Sequence, residues 1–464
     1  MALLRTRSPL ARSTVRAVPF AFALLGAALW AEPALASGFS TARFGGEHGN
    51  PVTPNATSIY YNPASLGETE GIHIFLDGSL ALRSVGWEHT AAASDDVSVP
   101  GANTGSNGLF NVIAAPMVGA SAKFGDFALG AGFYVPFGGS ATWNKNTDFE
   151  GDRENAGPYD GVQRWHTISG AIQSMYFTLA AAYKLPFGLS IGVSGNLISS
   201  SVTTLRARAA DGSNSVSLEG RSLADVSGLQ ASFGAGLMYE ALPDTLWFGA
   251  SYQARPNITG DVELTGTLTN NFAGTVGESP ISFYQGMPDV IRLGGRFKPA
   301  KDLELRLFGD FTRWSAMKNQ CVADEGTPCE VNEDGSAAEG SSPIVNLPRD
   351  WNDAFGIRAG LSYWPTEAAE LFAGLGYDSN AVPDETLEPT LSDAHDVSVA
   401  LGGRFAIGKH VNLAASYTHF FYVQRDTTGL STLAGLEAPS KSPDAGGIYK
   451  QTLGVINVNV DVAF

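Results

Sequence analysis

The chain ends on YKQTLGVINVNVDVAF, in which Gly454, Ile456, Val458, Val460, Val462 and Phe464 hold one parity and Gln451, Asn457, Asn459 and Asp461 the other. Successive side chains of an extended backbone point to opposite faces, so a period of two specifies a strand with one apolar and one polar face. One such strand would suit any half-buried sheet. The constraint comes from repetition. Six more pairs of alternating runs are joined by short turns at 125–126, 185–188, 241–244, 298–301, 364–368 and 407–410. With a run that opens at Ile72 the total is fourteen, and a closed single-chain barrel of this type needs an even number.

The runs reach the roughly 9–11 residues of a tilted membrane strand. Tyr183, Tyr239, Tyr252, Tyr363, Tyr377 and Tyr417 fall near run ends, where aromatic girdles meet a bilayer interface. The opposite ends are joined by polar stretches at 86–108, 137–167, 206–227, 255–288, 316–350, 382–393 and 424–450. Short turns on one rim and long loops on the other are the asymmetry of an outer-membrane barrel. A secreted β-sandwich has no need of so many matched pairs. The expected fold is all-β: a 14-stranded antiparallel transmembrane β-barrel over 72–464, in the outer membrane of a Gram-negative-type bacterium.

If the apolar parity faces lipid, the polar parity faces the lumen. The strand charges Asp77, Arg83, Arg292, Arg296, Glu304, Arg306, Asp310, Arg358, Arg404 and Asp461 all obey that rule. An Arg on the lipid face near the midplane would cost ~2–4 kcal/mol. Most of these charges are expected to pair with one another. Arg292, Arg296 and Arg306 are the candidates to receive a ligand carboxylate in the lumen. Small inward residues, among them Gly130, Gly192, Gly236 and Gly376, leave room there for a water-filled channel or a plug.

Residues 1–36 read as a secretory signal peptide. Arg5, Arg7, Arg12 and Arg16 precede an apolar core, and Ala34-Leu35-Ala36 is a small-residue cleavage site. A formal charge of −17 argues against nucleic-acid binding, which needs a basic surface. The two cysteines, Cys321 and Cys329, lie close together with Gly and Pro between them, a spacing for a local disulfide in an exported protein. The seven histidines are scattered, with no pair at metal-ligand spacing, and neither a metal nor another cofactor is expected. The stretch GLSIG at 188–192 fits G-x-S-x-G, but a turn precedes it and a strand follows. A nucleophile elbow needs a strand before and a helix after, so the chain is read as a non-enzyme.

Between the leader and the first strand, 37–71 is too broken for a membrane strand and too apolar for an idle linker. It carries Phe39 and Phe44, then TSIYYNPASLGE with Ile59, Tyr60, Tyr61 and Leu66. Such side chains want burial, and the nearest cavity is the barrel lumen. The segment is therefore expected to be a plug, or hatch, with Asn62-Pro63-Ala64 as a tight turn.

The mature start SGF, the block NATSIYYNPASL and the fourteen-run pattern ending in Phe resemble the FadL-type long-chain fatty-acid transporters of the outer membrane. That family includes uptake channels for aromatic hydrocarbons. The resemblance implies passive, ligand-gated uptake with hatch movement, and lateral release at a kinked third strand. It implies a ligand and hatch site at Phe39, Tyr60, Tyr61, Asn62, Pro63 and Ala64. Pro136, Gly138 and Gly139 are the residues able to break the third strand. The expected partners are a hydrophobic small molecule, the bilayer and the lipopolysaccharide of its outer leaflet, with the chain as a monomer. Fatty acid and aromatic hydrocarbon both stand as ligands. A general porin or a structural barrel is the remaining alternative, against which the aromatic N-terminal segment argues.

Overall fold

The computed structural model describes residues 43–464; the leader, its cleavage site and Phe39 lie outside the described residues. In chain order the strands are β1 (Ile72–His89), β2 (Gly105–Phe124), β3 (Phe127–Thr142), β4 (Ser169–Lys184), β5 (Leu189–Arg208), β6 (Gly220–Leu242) and β7 (Leu246–Gln253). Next come β8 (Val262–Phe272), β9 (Thr275–Gln285), β10 (Val290–Ala300), β11 (Leu303–Thr312), β12 (Asn319–Asp324) and β13 (Pro343–Pro348). The last are β14 (Ala354–Thr366), β15 (Ala369–Asp378), β16 (Asp396–Ile407), β17 (Val411–Tyr422), β18 (Arg425–Asp426) and β19 (Ile448–Ala463).

Fourteen of these strands form a closed antiparallel wall: β1–β7, β10, β11, β14–β17 and β19. The circle closes by pairing β1 with β19 from His73↔Ala463 to Glu88↔Ile448. Closure pairs the wall strands with neighbours on both sides over most of their length, as a bilayer without water to satisfy a free edge demands. The outer parity is apolar and uncovered: Leu179 is 72% exposed and Leu229 71%. Their inward neighbours Thr178 and Gln230 are buried. An apolar band of this kind around a polar interior is stable only in lipid.

The loop rim differs from its sequence reading. The stretches 255–288 and 316–350, read as loops, contain the hairpin β8–β9 and the pair β12–β13. The cause lies in strand lengths. β6 has 23 residues and β7 only 8, so the outer part of β6, still paired with β5, has no partner on its β7 side. Residues Arg221–Ser227 of β6 pair with β8 instead, and β9, β12 and β13 continue outward from it. The stretch 206–227 is likewise shorter as a loop than its polarity suggests, because β5 runs on to Arg208 and β6 begins at Gly220. Cys321 and Cys329, on and just after β12, are disulfide-bonded with Cα atoms 5.9 Å apart.

Candidate functional site

Residues 43–71 lie inside the barrel, and their contacts reach strands all around it. The Gly45 amide donates to Asp77 on β1 at 2.7 Å. His48 meets Glu370 on β15 at 2.8 Å, and Arg43 meets Asp378 at 3.0 Å. Lys184 of β4 meets Glu68 at 2.6 Å, and the Ser251 hydroxyl of β7 donates to the Tyr61 carbonyl at 2.6 Å. A single helical turn, Ser58–Tyr61, presents Ile59 and Tyr60 to the wall; a 3-10 turn, Pro63–Glu68, follows it. Asn62 begins the second turn by accepting from the Ala64 amide, as an N-cap does. Pro63 at its first position has no N–H to leave unpaired. The Asn62 amide also donates to the carbonyls of Pro51 (2.8 Å) and Leu237 (3.0 Å), and the residue is fully buried.

The inward glycines of the wall form the seat for this turn. A methyl group at Gly236 would lie 1.9 Å from the Asn62 side-chain oxygen, and one at Gly192 would lie 2.3 Å from the Ala64 nitrogen. At Gly130 it would press on Ile59 and Leu66 at 2.9 Å. Space left by small residues in β3, β5 and β6 is thus filled by 59–66.

The three arginines read as candidate carboxylate receptors sit at this level, against the N-terminal segment. Arg292 lies 4.5 Å over the Tyr60 ring and faces Tyr61 at 5.6 Å. Arg296 stacks on Trp247 at 3.9 Å, with Glu304 at 3.8 Å. Arg306 donates to Glu304 at 2.7 Å and to Ser362 at 2.9 Å. Arg358 is held between Asp310 and Asp378. None of these four lines the apolar cavity of the barrel.

That cavity lies on the loop side and encloses about 970 Å³ of unfilled space, its mouth included. Its walls are largely apolar, with Ile172, Val202, Leu268, Phe283, Val322 and Leu391 among them. Three guanidinium groups face it: Arg83, Arg206 and Arg349. Arg349 is committed, donating to Glu388 at 2.6 Å and twice to Gln320, at 3.0 and 2.6 Å. His166 meets the other Glu388 oxygen at 3.1 Å. Burial works against a charge on Glu388, but Arg349 and His166 hold its carboxyl well below the usual carboxylate range. Arg83 is different. It is 3% exposed, reaches only the Ser140 carbonyl at 3.4 Å and the Ser392 hydroxyl at 3.5 Å, and its Nε has no acceptor. Among the described residues no carboxylate pairs with Arg83 or Arg206. Arg83 had a sequence signal, as a lumen-parity charge, but not as a ligand contact. Arg206 fell in a stretch read as loop, although the alternation Val202, Thr204, Arg206, Arg208 continues the strand.

An aromatic series runs from the N-terminal segment toward Phe137, the neighbour of the cavity-lining Gly138. Phe44 packs on Tyr60 (5.4 Å between centroids), Tyr60 on Tyr134 (5.1 Å), and Tyr134 on Tyr176 (5.6 Å). Phe137 then meets Tyr176 (6.2 Å) and Trp314 (6.4 Å).

Beside this series the wall is interrupted. β2 pairs with β3 only from Met117↔Tyr134 to Phe124↔Phe127, although β2 stays paired with β1 as far as Gly105. Beyond the last pair stand Pro116 on β2 and Pro136 on β3, which have no N–H to continue a ladder. The β3–β4 register also shifts between Tyr134 and Phe137. Pro136 therefore sits in the irregularity, while Gly138 and Gly139 pair regularly with Gln173 and Ile172 and line the cavity. The two edges meet again farther out, where the Asn111 amide donates to the Ser140 carbonyl at 2.9 Å and the Asn144 N–H to the Gly108 carbonyl at 3.0 Å.

Residues 21–441 match the family model described as "Outer membrane protein transport protein (OMPP1/FadL/TodX)". A long-chain fatty acid transport protein of Escherichia coli is 20% identical over 222 residues, which cover 44% of this chain and 46% of that protein. The crystal structure of a Pseudomonas aeruginosa FadL homologue superposes with a TM-score of 0.72 at 16% identity, covering 93% of this chain and 99% of the other. The Pseudomonas putida toluene transporter TodX gives a TM-score of 0.63 at 17% identity, covering 92% and 98%. At such identities the two structures share the fold with this chain.

Proposed function

The chain belongs to the OMPP1/FadL/TodX family of outer membrane transport proteins, and on that premise we propose that it is a passive uptake channel for long-chain fatty acids or similar hydrophobic acids. The observation that carries the choice of an acid is the pair Arg83 and Arg206: two guanidinium groups with no carboxylate partner among the described residues, facing a cavity with apolar walls. A buried cation without a counter-ion is costly, and a ligand carboxylate would supply the missing partner through charge-assisted hydrogen bonds. The alkyl chain gains ~0.8 kcal/mol per buried CH₂.

In this reading 37–71 is the hatch, and Tyr60, Tyr61 and Phe44 couple it to Tyr134 at the broken edge of β3. Ligand in the cavity favours one arrangement of that aromatic series, and release follows sideways between β2 and β3 past Pro136. The chain acts as a monomer in the bilayer, its outer rim among lipopolysaccharide, and carries out no chemical step. The aromatic series also favours a second reading, an aromatic-hydrocarbon channel, in which uncharged ligands bind as well as acids. A general porin is disfavoured by a lumen occupied by 43–71.

Tryptophan fluorescence of the refolded barrel, titrated with myristate, methyl myristate, tetradecane and toluene, tests the choice. Tight binding of myristate alone supports the acid reading, and equal binding of toluene and tetradecane replaces it with the hydrocarbon one. For the hatch, Asn62→Ala should change uptake while the barrel still assembles; unchanged uptake removes that role.

A further inference from the structure

The interruption between β2 and β3 has two borders of different build. The inner border is ladder, in unbroken register from Phe124↔Phe127 to Met117↔Tyr134. The outer border is made largely by side chains. The Asn111 amide of β2 donates to the Ser140 carbonyl at 2.9 Å and to the Ser140 hydroxyl at 3.2 Å. Asn107 donates to the Asn144 carbonyl at 2.8 Å, beside the backbone bond from the Asn144 N–H to the Gly108 carbonyl at 3.0 Å. Between the borders lie 112–116 of β2 and 135–139 of β3, ~17 Å of strand on each side, with no ladder pair between them among the described residues.

Arg83 reaches the outer border from β1. It stands opposite Asn111 in the β1–β2 register, and both residues take the lumen parity of their strands. Arg83 donates at 3.4 Å to the same Ser140 carbonyl that Asn111 uses. A carbonyl oxygen has two lone pairs, so it holds both donors at once. Arg83 and Ser140 also line the ligand cavity, with Gly138, Gly139 and Ala141 between β3 and its interior. A guanidinium group with no carboxylate partner among the described residues is thus also a holder of the β3 edge.

We infer, on the acid reading of the function and its sideways release, that Asn111 is the clasp of the side opening and that Arg83 makes this clasp sensitive to the ligand. A carboxylate carries a full charge and can take two parallel bonds from one guanidinium, which a backbone carbonyl cannot. It therefore draws Arg83 away from Ser140. Asn111 then holds the β3 edge without that second donor, and the edge opens more often. An uncharged ligand of the same length fills the cavity but leaves both donors on Ser140. Arg83 and Asn111 act here through the Ser140 carbonyl, as positioning residues for release.

Hydrogen exchange of 141–146 reads the clasp, because the Asn144 N–H bonds across it. It is measured on the full barrel in phospholipid vesicles, with myristate or tetradecanol at concentrations where tryptophan fluorescence shows the site filled. Myristate should speed exchange there about fivefold, the effect of losing one hydrogen bond, and tetradecanol should leave it unchanged. Asn111→Ala should exchange about fivefold faster without ligand and release preloaded myristate into empty vesicles faster by a similar factor. Asn111→Asp keeps the side-chain shape but offers Arg83 a carboxylate across the strand pair. It should exchange fast and no longer respond to myristate, and it carries the test if the alanine variant does not assemble. Unchanged exchange with myristate bound overturns the ligand-sensitive clasp. Equal acceleration by tetradecanol overturns it too, because that would mark filling of the cavity rather than charge. Wild-type exchange in both variants removes the role of Asn111. Equal affinity of the wild-type barrel for the two compounds is a separate result: it removes the acid reading, and the clasp's sensitivity to ligand with it.

Discussion

Arg306 and Arg83 both face the lumen from barrel strands and are buried to a similar degree, at 2% and 3% exposure. Arg306 has Glu304 at 2.7 Å and Ser362 at 2.9 Å. Among the described residues Arg83 has only a carbonyl and a hydroxyl, at 3.4 and 3.5 Å. The first belongs to the floor, where 43–71 meets the wall through ion pairs and cation–π contacts; the second belongs to the cavity. In the floor Arg43, Arg296, Arg306 and Arg358 each have a carboxylate within the chain, and Arg292 lies against the rings of Tyr60 and Tyr61. In the cavity Arg349 has Glu388, whereas among the described residues Arg83 and Arg206 have no carboxylate, an arrangement that a ligand carboxylate would complete.

Mutation should separate the two sets. The largest effect is expected in the floor: Arg358→Ala leaves Asp310 and Asp378 facing each other and should cost about 3–5 kcal/mol in urea unfolding of the lipid-embedded barrel. A loss below about 1 kcal/mol would mean that the floor pairs are screened by water. Next, Arg83→Gln or Arg206→Gln should weaken myristate binding by about 1.5–3 kcal/mol, roughly tenfold to a hundredfold by titration, with unfolding unchanged or improved. Destabilisation by either would erase the contrast. Gly192→Ala, whose methyl would fall 2.3 Å from the Ala64 nitrogen, should cost about 1–3 kcal/mol by overpacking. That loss should appear as faster proteolysis of 43–71 while the wall stays folded.

The smallest effect concerns the committed arginine of the cavity, Arg349. The folded-state pKa of Glu388 is held below its unfolded value. Its contribution is therefore complete above about pH 4.3 and is lost as the pH falls through and below that value. Hydrogen exchange in 379–395 should accelerate below that pH in the wild type, and Glu388→Gln should remove the step.

The wall was legible because its signal is local. Alternation from Phe177 to Tyr183 or from Leu303 to Leu307 needs no knowledge of the partner strand, and the lipid-facing parity followed residue by residue. The site was less legible because its determinants are distant in sequence. Arg292, Arg296 and Arg306 had the right parity, and only their neighbours, Tyr60, Trp247 and Glu304, show that they are engaged. Arg206 was hidden for another reason: above the bilayer the outward parity no longer needs to be apolar, so β5 continues after its hydrophobic signature has ended. The pairs β8–β9 and β12–β13 share that cause: their inner faces bury Leu268, Phe283 and Val322, and their outer faces, above the bilayer, need not be apolar. Pro136 lies in the irregularity of the β3–β4 ladder, whereas Gly138 and Gly139 are regular members of it.

The long strand β6 has a mechanical consequence. Its inner part is wall and its outer part carries β8, β9, β12 and β13, so the outer sheet is a cantilever clamped along one beam. Its tip is β13, and there it is propped: the Asn346 N–H donates to the Pro439 carbonyl at 3.2 Å and its side-chain amide to the Ser440 hydroxyl at 2.9 Å. Deflection of a clamped beam is greatest at its tip. In this molecule the tip has two further holds, the Arg208 side chain on the Ile344 carbonyl at 2.9 Å and the Arg349 N–H on the Lys318 carbonyl at 2.8 Å, so the outer sheet is pinned where a free beam would give most.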